Sequence, residues 1–427
     1  MLKHTSYLAA FWCPLEIKDG SDNIIWKNPV PNSILFCRPV DLLRGKENNV
    51  TVEKYFKPTL DRIKGHKNTP LQSGDLQIFN RTEVSMVDGK MAAILDGTGG
   101  GFCHYYHASR KDANSIVDIH LGFRITRTIE EALEIWRKLE TGELKYTDPE
   151  RKGQTNKCLL GVDLRYFGVL HSELRSLDHT QKILYHLVAK EYQWSERAPG
   201  TKAALAEAKE KVIRHVRDNT QMMIDTPTSS GGNTNTGPLA KEWFSPKFRE
   251  AICSVVEDPV DHENFRELLS KFNILCTVVQ QVDYNVNPDK VRDLGYELMV
   301  FHKEMFPWAM ISPSVHTMCA HYWELFEMNN CSPIAAYSEQ SGEHWNKHIR
   351  NIKSGAGCRA QQSSIQVNTR DIFVRISNRS HPNIALKRRM LKCSVCGLLG
   401  HTARSCKSTI QECVTLERTK IEECYIK

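Results

Sequence analysis

No apolar run in this 427-residue chain approaches the roughly 20 residues needed to cross a bilayer. That excludes a helical membrane span. The opening MLKHTSYLAAFWCPLEIKDG lacks the long apolar region and small-residue cleavage site of a secretory signal, so a cytosolic or nuclear protein with no membrane partner is expected. Charge of one sign is in modest excess at +7, too little to define a partner by itself. There is no internal repeat, and the only low-complexity stretch is TPTSSGGNTNTGP at 226–238, read as a flexible loop. Hydrophobic content of 41% with charged content of 25% excludes a disordered chain and leaves room for two or three domains.

What the chain has in quantity is cysteine, 14 residues. Without a secretory signal these are expected to be reduced, some of them holding metal. Four candidates declare themselves by spacing. Cys393, Cys396, His401 and Cys406, in CSVCGLLGHTARSC, form a complete Cys-Cys-His-Cys zinc knuckle. Three thiolates and one imidazole saturate a tetrahedral zinc, so the site is structural. Gly397 and Gly400 permit the tight turns of so short a loop. The loop carries Ser394, Val395, Leu398 and Leu399 in place of the aromatics on which nucleic-acid bases stack, which leaves backbone contacts through Arg404 and the basic lead-in Arg388, Arg389 and Lys392. A protein-protein role is the competing use.

The positive charge gathers in the C-terminal third, between Lys347 and Lys407, and favours an acidic partner there. Just before it lies HTMCAHYWELFEMNNCSPIAAYSEQSGEHWNK (316–347), with His316 and His321 five apart and Glu343 leading into Lys347, Arg350 and Lys353. Two imidazoles near a helix start can serve one ion, and a carboxylate followed by cations suits a metal held against phosphate. An ordinary surface helix with charge pairs such as Glu343 and Lys347 is the alternative.

Residues 6–44 read as short strands broken by Asp-Gly and Pro-Asn turns. TVEKYFKPTLDRIKG (51–65) reads as a helix that Pro58 bends, and EVSMVDGKMAAIL (83–95) as a strand carrying Asp88 with a break at Gly89. Helical spacing follows at 129–142, 179–194, 202–219, 246–258 and 262–282.

WKNPVPNSILFCRPV (26–40), MVDGK (86–90), GGNTNTGPLAKEWFSPKFREAIC (231–253), VHTMCAHYWELF (315–326) and SEQSGEHWNK (338–347) together resemble, in order and spacing, the RAG-like transposases, the family of the V(D)J recombinase catalytic subunit. That resemblance implies an α/β plus α fold. An RNase H-like core of the DDE type, incomplete here, is split by a large mainly helical insertion and followed by the CCHC knuckle. The implied domains are a partial core at 1–110, the insertion at 111–335, a closing core helix at 336–380 and a basic linker, knuckle and tail at 381–427.

By resemblance, Asp88 is the second catalytic aspartate and Glu343, in place of the nearby Glu339, the catalytic glutamate, together holding Mg2+ or Mn2+. His316 and His321 match the histidine half of an internal zinc site. Of the cysteine half only Cys103 is present; Tyr106 stands at the second position, so either His107 or His104 completes a substitute site or the zinc site is degraded. The first catalytic aspartate has no counterpart, since Asp19, Asp22 and Asp41 fall in later turns and strands. The chain is thus expected to be an N-terminally truncated transposase fragment, catalytically incomplete. A noncatalytic zinc-knuckle nucleic-acid-binding protein derived from such an element, or an interaction adaptor, are the rival readings. DNA (transposon terminal repeats), a homodimer, a RAG-like accessory subunit and nuclear residence are the implied context.

Overall fold

The computed structural model describes residues 7–345 apart from 30, 32, 34–36, 45–47, 66–67, 71–76, 80–83, 86–88, 100–102, 104, 107–108, 110, 160–164, 167, 196–198, 227–234, 282–284, 330–332, 339 and 341–342. Its N-terminal part is made of short strands. β1 (Tyr7–Trp12) pairs antiparallel with β4 (Arg38–Arg44), and β2 (Glu16–Lys18) with β3 (Ile24–Lys27). The β2–β3 turn is held by Asp19, whose carboxylate accepts from the Ser21 and Asn23 backbone N–H groups at 2.9 Å each. β5 (Asn68–Pro70) pairs antiparallel with β6 (Gln77–Phe79), and β7 (Val84–Ser85) parallel with β8 (Arg165–Tyr166). Among the described residues the strands therefore pair only two by two, and they assemble no larger mixed sheet.

The segment read as one bent helix is helical throughout, as α1 (Asn49–Thr51), a π-helical turn (Val52–Phe56) and α2 (Lys57–Gly65). The π turn sits directly before Pro58, whose ring excludes the normal i→i−4 pattern. The strand expected over 83–95 is corrected. It ends at Ser85, and α3 (Gly89–Asp96) follows, because Lys-Met-Ala-Ala-Ile-Leu is a run of helix formers.

Beyond that the chain is helical: α4 (Ile116–Leu121), α5 (Ile129–Thr141), α6 (Val169–Ala189), α7 (Pro199–Thr220), α8 (Gly237–Phe244), α9 (Pro246–Cys253), α10 (Pro259–Val279), α11 (Pro288–Met305) and α12 (Pro313–Met328). α6 begins ten residues before the spacing suggests, since its first turns bury Val169, Ser172, Glu173 and Ser176 and carry no clean apolar stripe. α4, α8 and α11 have no counterpart in the periodicity reading. Their start signals are nonetheless in the sequence. Side-chain caps open α4 (Ser115), α8 (Thr236) and α11 (Asn287), and a cap followed directly by proline opens α9 (Ser245-Pro246), α10 (Asp258-Pro259), α11 (Asn287-Pro288) and α12 (Ser312-Pro313).

α12 is the axis of the body. Val315, Met318 to Trp323, Leu325 and Phe326 are all buried, a helix enclosed on every side by α6, α11 and the segments before α5. Each fully buried Leu or Phe of this kind contributes about 1.5–3 kcal/mol. α11 reaches α12 through Gly295, where a Cβ atom would lie 2.0 Å from the Cys319 carbonyl oxygen. Only glycine allows that approach.

Candidate metal centre

α12 presents His316 and His321 to Cys103, which belongs to the segment after α3. All three are buried, and their ligand atoms lie within 4.8 Å of one another. Cys103 Sγ is 3.3 Å from His321 Nε2, across 218 positions of sequence. A tetrahedral ion with metal–sulfur bonds of ~2.3 Å and metal–nitrogen bonds of ~2.0–2.1 Å would hold such atoms roughly 3.5 Å apart. Among the described residues no hydrogen bond satisfies either buried ring nitrogen of His316, and the ring stands edge-on to Phe123 (4.7 Å between centroids) and to His321 (5.2 Å). A buried imidazole normally satisfies at least one nitrogen. The orphaned ring, the thiol and the second imidazole together form a donor set that can hold a borderline-soft divalent cation.

The electrostatics agree. Burial alone would push the Cys103 thiol up, but the charge of His321 and the nearness of His316 bring it well below the ordinary thiol range. Burial alone would likewise hold His321 neutral, yet Cys103 in front of it and Glu324 behind it lift it to about 9. Both shifts run in the direction that favours the thiolate, the form in which cysteine ligates metal.

Glu324 is the residue that sequence reasoning passed over. Its carboxylate lies 3.2 Å from His321 Nδ1, one turn along α12, and both its oxygens are 3.0 Å from the Ile125 backbone N–H. The next two N–H groups, of Thr126 and Arg127, donate to the Tyr105 carbonyl at 3.1 and 3.3 Å. Tyr105 stands two residues from Cys103, so ligands, carboxylate and the 123–127 segment close into one ring of contacts. The only sequence signal was an acidic residue three positions after a histidine on a helix. Arg124 stacks on Trp323 at 4.4 Å and comes within 4.0 Å of Glu324.

Of the other sequence-derived candidates, Glu343 is described and half-buried in a helical turn with His344 and Trp345. Trp345 stacks on Phe11 of β1, ring centroids 6.1 Å apart and planes 9° from parallel. Asp41 accepts from Thr59 Oγ1 at 2.7 Å and from its neighbour Leu42 N–H at 2.8 Å. Asp88, His104 and His107 lie outside the described residues, as do Lys347, Arg350, Lys353, Arg388, Arg389, Lys392, Arg404 and the knuckle ligands Cys393, Cys396, His401 and Cys406. Tyr106 is described and faces Phe123, 5.6 Å away. Among the described residues no helix is long and apolar enough to cross a membrane. No family model matches the chain, and no curated protein matches it.

Proposed function

We propose that this chain is a DNA-binding protein of RAG-like transposase descent, in which a mainly helical body stapled by zinc stands between two parts of an RNase H-like core. The observation that carries this reading is the meeting of Cys103 with His316 and His321. The resemblance pairs Cys103, just before the insertion, with two histidines near its far end, and nothing in their local sequence requires them to touch. Zinc there would supply a cross-link and positive charge, not a reactive site. Stacking of Trp345 on Phe11 lends secondary support, since it sets the Glu343 turn against β1 as a closing helix of such a core would sit.

Asp88 and Glu343 are the proposed ligands of Mg2+ or Mn2+. Two carboxylates without a matching first aspartate do not hold two ions in line. This chain on its own is therefore proposed to bind DNA without cutting it. Lys347, Arg350 and Lys353 would track phosphates, and the knuckle with Arg388, Arg389, Lys392 and Arg404 would add a second contact. Nuclear residence, terminal-repeat DNA, a homodimer and a RAG-like accessory subunit belong to the same proposal.

The test is a duplex-binding titration across a salt series with Mg2+ or Mn2+ present. Binding is expected to weaken as salt rises, and the Lys347→Ala/Arg350→Ala/Lys353→Ala variant is expected to reduce the salt slope by up to about 3. No nicking is expected. Binding indifferent both to these changes and to Cys393→Ser would overturn the DNA assignment, and metal-dependent nicking by this chain would overturn its catalytic incompleteness.

A further inference from the structure

We propose that Glu324 is the positioning residue of the metal centre: it fixes which nitrogen of His321 faces Cys103 and at the same time clamps the segment that holds Cys103 in place. The inference rests on the reading of Cys103, His316 and His321 as metal ligands.

A carboxylate can hold a ligating imidazole by accepting the proton of its far nitrogen, which leaves the near nitrogen as a lone pair for the ion. Glu324 stands in that relation to His321. Nδ1 lies 3.2 Å from its Oε2, while Nε2 lies 3.3 Å from Cys103 Sγ. An ordinary i,i+3 pair on a helix surface would be solvated, whereas His321 is fully buried and the Glu324 side chain only 9% exposed. Burying a carboxylate is costly unless it is hydrogen-bonded. Here the compensation comes from His321 and from the Ile125 N–H, at 3.0 Å to each oxygen. Arg124 contributes little, being 4.0 Å away and 64% exposed.

The Ile125 contact extends the effect beyond the imidazole. Ile125 is followed by the two N–H groups that donate to the Tyr105 carbonyl. Moving the carboxylate therefore loosens both the His321 ring and the backbone contact to Tyr105, two residues from Cys103. Phe123, in the same segment, stands edge-on to His316, so the second imidazole is seated by it as well.

The experiment is a Co2+ titration of the full 427-residue chain carrying Cys393→Ser, Cys396→Ser and Cys406→Ser, which removes all three knuckle thiolates. In that background one Co2+ with thiolate charge-transfer and tetrahedral d–d bands is expected, and Cys103→Ala is expected to abolish them. Added Glu324→Gln, which alters one atom, is expected to weaken Co2+ about 10-fold and shift the d–d envelope, and Glu324→Leu about 100-fold. Glu324→Asp restores part of the loss, and Arg124→Ala stays within twofold of the background. Absence of Cys103-dependent bands in the background removes the metal reading and this proposal with it. Bands that depend on Cys103 while Glu324→Gln leaves affinity and band positions unchanged overturn the positioning role alone. Should Glu324→Leu fail to fold, Glu324→Gln decides.

Discussion

Nε2 of His179 lies 2.9 Å from Nε2 of His302, with both rings buried where α6 meets α11. One proton serves two nitrogens there, and a second would set two N–H groups against each other. Burial, His179 and the neighbouring Lys303 hold His302 well below the ordinary histidine range.

Because His302 is neutral when folded, the unfolded chain takes up the extra proton as pH falls below about 6.5. Stability is thus expected to be flat in this respect above pH 6.5 and to fall by up to about 1.4 kcal/mol per pH unit below it. Urea unfolding between pH 5 and 7.5 measures the slope. His302→Gln is expected to cost stability at pH 7.5 through lost packing while making the acid slope shallower by about one proton.

Glu173 gives the opposite sign. Burial raises its carboxyl from 4.5 to about 7, only partly offset by Gln280 and Lys241. The folded state keeps this proton more tightly than the unfolded one. Its favourable contribution is therefore complete below pH 4.5, declines as pH rises to 7, and is absent above. Glu173→Gln is expected to be near neutral at pH 4 and stabilising by about 3 kcal/mol at pH 8. Paired denaturation curves at the two pH values check the crossover.

Metal removal is expected to lower the melting temperature without erasing the helical signal, because the body around α12 has a large apolar core of its own. Elemental analysis should find two zinc ions per chain, reduced to one by either Cys103→Ala or Cys393→Ser. Cys103→Ala is expected to cost on the order of 3 kcal/mol in the zinc-loaded protein. A single ion unaffected by Cys103→Ala would refute the internal site.

Gly295→Ala tests the seam between α11 and α12. A Cβ atom 2.0 Å from the Cys319 carbonyl oxygen meets backbone, which cannot swing aside. The helices must separate, at a cost of about 3 kcal/mol. Cys319 lies between His316 and His321 on α12, so metal affinity is expected to fall along with thermal stability.

Helices with an apolar stripe were legible in the sequence: α5, α7, α9 and α10 fall where spacing puts them, with ends moved by a few residues. α12 was harder because it is enclosed on all sides and has no polar face to reveal its period. His316 and His321 were legible from their spacing, but Cys103 was joined to them only through resemblance, since two segments 218 positions apart carry no local sign of each other. Glu324 escaped notice because its role depends on the Ile125 N–H, and no pattern of side chains encodes the position of a backbone donor.

The distance along the chain between the ligands has a consequence during synthesis. At about 5–20 residues per second, a ribosome that has released Cys103 needs roughly 10–40 s to supply His321, 218 positions later. Throughout that interval the cysteine is an unclaimed thiol on a nascent polypeptide, open to oxidation or to the wrong ion, and the centre can close only after α12 has emerged.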